Sequence, residues 1–397
     1  MIISLIIAVG LFISPFVYWP WAIVPYEIPR VLFIRYWIDI LSLIGFIFFF
    51  RRFKKRSFNG LLYLSVACFF IVMVIASIFG RDIDKSFWGN YYRGDGLLTY
   101  FHLLSLFSFM MIYWQNKWQK LTAYAIGRGA AIIGLWSLID NYRLYVLNDF
   151  SISHWSGAVG MTFGHSRFLA GYLLVTLPFV YYLIRISNRR QRWLMAAGLG
   201  FQIAAILLTK AWAGYLGIAV FALLVMVLFC RNKPIKTLTV TVSLVIILCL
   251  LLIFFQKQNR HDFVAESRQR IIVKTILGTL KRPIFGWGWA NADYAFEAAP
   301  WPMPISHDIY VDKAHSVFLE IFATTGIVGF AAYISLLGYA GFSLLKKARG
   351  SAGREKVWQK TLLTVFILYV FHSQTNIISI AEEVIFWFVL GVAANEE

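Results

Sequence analysis

Charge is scarce in this chain. Only 14% of its 397 residues are Asp, Glu, Lys or Arg, 60% are hydrophobic, and the mean hydropathy is +0.69. That balance excludes a soluble globular fold, which has no use for so much apolar surface. Cysteine is nearly absent. The three present, Cys68, Cys230 and Cys249, lie in apolar runs, which excludes a disulfide framework. No low-complexity tract or internal repeat is evident. No basic region precedes residues 1–18 and no small-residue cleavage site follows them. They read as a first membrane span, not as a cleaved signal.

What the chain does have is a series of apolar runs close to 20 residues long. Such runs cross a hydrocarbon core of roughly 30 Å as helices. In the bilayer each backbone amide needs a partner inside the protein, so only helices or a closed barrel remain. Runs this long and continuous exclude barrel strands. The expected fold is an all-α integral membrane protein with about twelve transmembrane helices, or ten if the two shortest runs do not cross. Spans are expected at 2–18, 31–50, 60–80, 97–114, 121–139, 167–186, 193–208, 212–230, 237–255, 315–345, 361–377 and 381–394. Residues 1–255 then form an N-terminal bundle of about nine spans and 315–397 a C-terminal group of about three. Between them lies a long polar loop, 256–314.

The net charge of +18 invites a nucleic-acid reading, but the placement of the charges argues against it. Loops 51–56, 115–120, 187–193, 231–236 and 346–360 hold 19 Lys and Arg, whereas loops 19–30, 81–96, 140–166, 209–211 and 376–381 hold 6. The positive-inside rule puts the first set, and both termini, in the cytoplasm. The long loop falls on the opposite side. It carries 8 more basic residues, but long loops translocate largely regardless of charge. The expected partners are membrane lipids and not nucleic acid.

A membrane protein has little reason to keep so long a polar loop unless something happens there. Inside it, residues 266–282 have helical periodicity. Val273, Ile276, Leu277 and Leu280 share one face, and Arg270, Lys274 and Lys281 another. Such a helix is expected to lie in the membrane interface, with Arg270 and Lys274 as headgroup anchors. Pro283 ends it, and Gly286-Trp287-Gly288-Trp289 reads as a turn. Residues 290–311 read as irregular. Asp312 is the expected N-cap of the next span, which would place His315 in its first turn.

Five segments, in order, carry a family resemblance. They are SFWGNYYRGDGLLTYFH (86–102), FGHSRFLAGYLL (163–174), LTKAWAGYLG (208–217), SRQRIIVKTILGTLKRPIFGWGW (267–289) and VDKAHSVFLEIFATTGIVG (311–329). Together they resemble the O-antigen ligase and polymerase superfamily of bacterial membrane glycosyltransferases. The resemblance implies transfer of a glycan from a polyprenyl-pyrophosphate donor to an acceptor hydroxyl, without metal or cofactor. The reaction would take place at the outer face of the bacterial cytoplasmic membrane. Two positions depart from the family pattern: Trp212 stands where an arginine is usual, and Ser316 where an asparagine follows the histidine.

The resemblance makes His315 the catalytic base. The positive end of a helix dipole there favours the neutral ring that can accept a proton. Arg268 matches the arginine of the family's S-R and is a candidate pyrophosphate clamp, its planar fork matching two phosphate oxygens. Lys210 is a candidate replacement for the missing arginine. Arg93 matches an outer-loop position. It is a candidate to orient glycan or phosphate, or to pair with Asp95 or Asp82. Trp88, Tyr91, Tyr92, Trp287 and Trp289 are candidates to stack on sugar rings, although interfacial belts use the same residues. Asp82-Ile83-Asp84 is too short a signal for a metal site. Arg35, Asp39, Arg128, Glu382 and Glu383 are costly in lipid and are expected to pair inside the bundle or sit near helix ends. His165 and His372 read as core or interface histidines.

Within the superfamily, ligation to a lipid core, polymerisation of repeats and transfer to a protein hydroxyl differ in acceptor. Outside it, a polytopic transporter or flippase is the main rival, and a regulatory scaffold a third class. A transporter is expected to show ionisable residues near mid-membrane between two related halves. Here most charges lie at span ends.

Overall fold

The structure is a computed structural model, and it describes residues 2–52, 57–149, 159–230, 268–299 and 311–396. Its helices, in chain order, are α1 (Ile2–Ile13), α2 (Glu27–Arg52), α3 (Gly60–Ile78), α4 (Ile83–Trp88), α5 (Leu97–Tyr113), α6 (Gln119–Tyr145) and α7 (Ser166–Ile186). There follow α8 (Arg189–Leu208), α9 (Trp212–Phe229), α10 (Arg268–Thr279), α11 (Ala292–Ala298), α12 (Val317–Gly350), α13 (Gly353–Ser373) and α14 (Ile380–Ala394). Every expected span within the described residues coincides with a helix. The expected span at 237–255 lies outside them. Among the described residues, six helical segments are long and apolar enough to cross a membrane by length and composition. The described residues are all-helical, as fits an integral membrane protein.

Helix α14 sits at the centre. All of its residues are buried, Glu382 and Glu383 in its first turn included. A capping box, Ser379 with Glu382, starts it. Helix α7 is also interior, with 78% of its apolar window buried, against 28% for α8 and 33% for α9. The outer helices turn Leu64, Ile71, Leu194, Leu207 and Phe342 outward. In a bilayer that surface faces acyl chains.

Glycine decides how the long loop docks. Helix α12 is broken at Gly326, whose φ of 64° is left-handed. The break frees the carbonyls of Ala323 and Thr324 and the amides of Ile327 and Val328. All four are re-paired with the turn after α10. Trp287 N and Gly288 N donate to Ala323 O (3.0 Å) and Thr324 O (2.9 Å), while Ile327 N donates to Pro283 O (2.8 Å) and Val328 N to Ile284 O (3.4 Å). The G-x-G turn of the loop thus fills a gap that the helix leaves for it.

Residues 292–298 correct the expectation of irregular chain. They form α11, which packs on α10, and the close approach requires Gly278, where a Cβ would stand 1.7 Å from Ala295 O. That helix covers one side of α10. Lys274 is consequently buried, its ammonium 4.0 Å from the Phe296 ring centroid, and not an exposed headgroup anchor. Val273, Ile276 and Leu277 remain exposed, as an interfacial helix requires.

Gly326→Ala is expected to lower stability by about 1–3 kcal/mol, because its Cβ would meet Ile284 O at 2.2 Å in a left-handed backbone. Gly338→Ala, in open space within the same helix, is expected to be neutral or stabilising. Thermal unfolding in detergent compares the two. Equal melting temperatures would contradict the docking role of the break.

Candidate active site

Helices α2, α3, α5, α12, α13 and α14, with the loops before α5 and α12, line a cavity that opens at one pole of the bundle. The basic loops before α6, α8 and α13 lie at the other pole. Arg30, fully buried, ties the polar end together. It donates to Glu27 (2.8 Å), Ser14 O (3.1 Å) and Thr162 O (2.7 Å). Glu27 in turn accepts from Ile380 N at 3.1 Å, linking α2 to the start of α14.

Residues 312–315 are held from two sides. Arg93 pairs with Asp312 at 2.7 Å, and Lys313 pairs with Asp95 at 2.5 Å and Glu320 at 3.0 Å. Ala314 N donates to Glu320 at 2.8 Å. The two motifs RGD (93–95) and DK (312–313) therefore meet through two ion pairs. Burial alone would lower the Lys313 ammonium, but Asp95 and Glu320 outweigh it and hold it above its ordinary value. Burial would raise Asp95, and Lys313 and Arg93 together hold it below the usual carboxylate range. The partner of Arg93 is thus Asp312, not Asp95 or Asp82.

His315 follows directly, with a left-handed φ of 56°. Such a backbone is uncommon for a side-chain-bearing residue and concentrates at functional sites. The expected N-cap is corrected here. Ser316, not Asp312, caps α12 by accepting from Leu319 N, so His315 precedes the helix and is not in its first turn. Ser316 also donates to Gln374 Oε1 at 3.0 Å, and Phe318 N donates to the same oxygen at 3.3 Å. The serine in the family's asparagine position thereby anchors the histidine segment to the end of α13.

Burial pushes the His315 imidazole down to about 4, and Arg268, Arg167 and Arg93 push the same way against Asp312. The ring is neutral at pH 7. Arg268, the first residue of α10, donates to Thr375 O at 2.8 Å and to Asn376 Oδ1 at 3.2 Å. Burial lowers its guanidinium to about 10, with Arg167 adding to the effect, so it keeps its charge. Arg268 and Arg167 are close enough to repel each other, and both bias His315. Two guanidiniums that both act on one imidazole favour an anion there, although neither lines the cavity itself.

The other expected site residues divide by position. Trp289 lines the cavity wall; it is buried, packs against Tyr100 (4.7 Å between centroids) and donates from Nε1 to Asp95 O. Trp287 lies under Arg282 and donates to Gly278 O at 3.0 Å. Trp88, Tyr91 and Tyr92 are exposed; Trp88 and Tyr91 border a separate shallow groove on α2. Lys210 is exposed at the turn before α9 and donates to Tyr145 OH at 2.9 Å; it does not line the cavity. Asp82 caps α4 by accepting from Lys85 N. Asp39 lies 3.2 Å from His102, and Arg35 donates to Thr99 and Gly94 O. Glu383 accepts from Tyr369 at 2.8 Å and Trp387 at 3.1 Å at the cavity floor. His165 caps α7, accepting from Arg167 N. The sequence reading missed Arg167. Its signal was a lone guanidinium in the first turn of an apolar span, which is costly in lipid.

The segment that carries three of the five motifs also has an independent match. Residues 197–334 match the family model for O-antigen ligase. Over that stretch, about a third of the chain, the resemblance to the O-antigen ligase and polymerase superfamily is supported. No curated protein matches the chain. The O-antigen ligase match implies a membrane enzyme of glycosyltransferase type, working on lipid-linked glycan. It contains His315 and Arg268. Arg93 and Arg167 lie outside it.

Two measurements test this geometry. In histidine-labelled protein, with His315→Gln for assignment, the His315 ring is expected to titrate near about 4 by NMR, and Arg268→Gln to move the midpoint upward. A midpoint near the ordinary 6.5 would contradict the site electrostatics. Arg93→Asp alone is expected to abolish activity or folding, and the double exchange Arg93→Asp with Asp312→Arg to restore part of it. No restoration would mean that the pair is not what holds the segment.

Proposed function

We propose that the protein is an O-antigen ligase-like membrane glycosyltransferase that moves a glycan from a polyprenyl pyrophosphate to an acceptor hydroxyl. The observation that carries this reading is the convergence of a neutral His315 with the Arg268 and Arg167 guanidiniums at one pole of the bundle. His315 takes the proton of the acceptor hydroxyl. The freed oxygen forms its bond to the anomeric carbon from the face opposite the phosphate. The carbon–oxygen bond to the pyrophosphate breaks, and its electron pair leaves with the pyrophosphate, so the anomeric centre inverts. Arg268 and Arg167 stabilise the charge that develops on the leaving group. In this reading Arg167 supplies the second cation that Trp212 does not, and Arg93 acts by holding Asp312. The cavity walls, with Trp289 and Tyr100, offer flat faces for a sugar ring.

The site's place at the pole away from the basic loops supports an extracytoplasmic site and cytoplasmic termini under the positive-inside rule. That pole is where a donor with its tail in lipid presents its diphosphate. Ligation, polymerisation and protein glycosylation share this chemistry and differ in what enters the cavity as acceptor. Transport is less well supported, because the ionisable cluster gathers at helix ends and not between two related halves.

Glycan transfer from purified lipid-linked donor in detergent tests the proposal. His315→Ala is expected to lower the rate by about 10²–10⁴-fold with expression intact. Arg268→Lys is expected to keep part of the activity and Arg268→Ala less. Unchanged transfer in His315→Ala would falsify the assignment of the base.

A further inference from the structure

His372 and Glu382 are fully buried and were expected only as a core histidine and an in-bundle carboxylate. They face each other, His372 Nδ1 to Glu382 Oε2, at 2.9 Å. Helix α7 seals them in; a Cβ at Gly171 would stand 2.2 Å from His372 Cε1 and 2.4 Å from Glu382 Oε1. On its other side the ring meets Asn376 Nδ2 at 3.1 Å, and Asn376 Oδ1 meets Arg268 at 3.2 Å. Four polar side chains thus form one unbroken line from the first turn of α14, past the end of α13, to the Arg268 guanidinium.

The proton positions along this line follow from one fact. A guanidinium only donates. Asn376 must therefore turn its oxygen to Arg268 and its amide to His372. The Nε2 of His372 must then be the bare, accepting nitrogen, so Nδ1 carries the hydrogen and donates to Glu382. Glu382 is held in place by Ser379, whose hydroxyl donates to Oε1 at 3.3 Å. Each orientation is thus fixed by the group before it.

We propose that Glu382, His372 and Asn376 are positioning residues that fix the plane of the Arg268 fork for the donor pyrophosphate. This rests on the donor-binding reading of Arg268. Glu382 sets the tautomer of His372, the tautomer sets the face of Asn376, and Asn376 with Thr375 O fixes the guanidinium. Replacing Glu382 by glutamine keeps the shape but reverses the line. Ser379 N and its hydroxyl, which both donate to Oε1, keep the glutamine carbonyl on their side, so the new amide donates to Nδ1, Nε2 then carries the hydrogen, Asn376 has to turn over, and its NH2 faces the donor-only guanidinium.

The test measures donor-dependent transfer by full-length protein in detergent, with Glu382→Gln and Asn376→Ala in wild-type and Arg268→Lys backgrounds. Each variant is expected to lower kcat about tenfold or more, as loss of a partner that orients a site ligand does, while leaving the acceptor KM in place. In the Arg268→Lys background, which has no fork to orient, either change is expected to cost less than about twofold. Equal losses in both backgrounds, or full kcat in both single variants, would overturn the relay. Asn376→Ala leaves the buried pair intact, so it carries the test if Glu382→Gln fails to fold. Arg268→Ala separates the two claims. Wild-type transfer in that variant removes the donor-binding reading and the relay with it. Lost transfer there, with both relay variants at full rate, removes the relay alone.

Discussion

Two ion pairs between the same short segments, Arg93 with Asp312 and Lys313 with Asp95, hold the chain that presents His315. One segment precedes α5 and the other precedes α12, so the pairs join parts of the sequence more than 200 residues apart. Pairs this sheltered are costly to leave half-made, because a lone charge stays in a poorly solvated place. That cost explains why the histidine can keep a left-handed backbone. The ion pairs on one side and the Ser316–Gln374 contact on the other over-determine its position.

The short turn 374–376 after α13 is the second fixed point. Gln374 receives the cap of the histidine helix, while Thr375 O and Asn376 receive Arg268. Base and guanidinium are therefore referenced to one stretch of backbone, though they come from different helices. This turn carries no charge and matches no motif, and its importance rests on geometry alone.

The architecture was largely legible in the sequence because the bilayer leaves so few options. Apolar runs of fixed length read as helices, and those within the described residues are helices. Local reading failed where one element covers another. Lys274 looks like a headgroup anchor on a helical wheel, and only the presence of α11 puts it under Phe296. Residues 290–311 look irregular because a seven-residue helix has too few turns to show a period. At the site, His315 and Arg268 were legible through a family resemblance, and that resemblance also named Arg93 without revealing its partner. Arg167, Asp312 and Asn376 were not legible as site residues. Their relevance comes from where distant segments meet, which no local pattern encodes. Lys210 shows the converse: it is well placed in a motif, yet the fold leaves it beside Tyr145.

The central claim is that the diphosphate of a lipid-linked glycan sits between Arg268 and Arg167, within reach of the His315 ring. A cryo-electron microscopy structure with bound polyprenyl pyrophosphate tests it most directly. The account predicts phosphate oxygens within hydrogen-bonding distance of both guanidiniums, with the lipid tail leaving the bundle at that pole. A diphosphate bound elsewhere, at Lys210 or among the basic loops of the opposite pole, would contradict it.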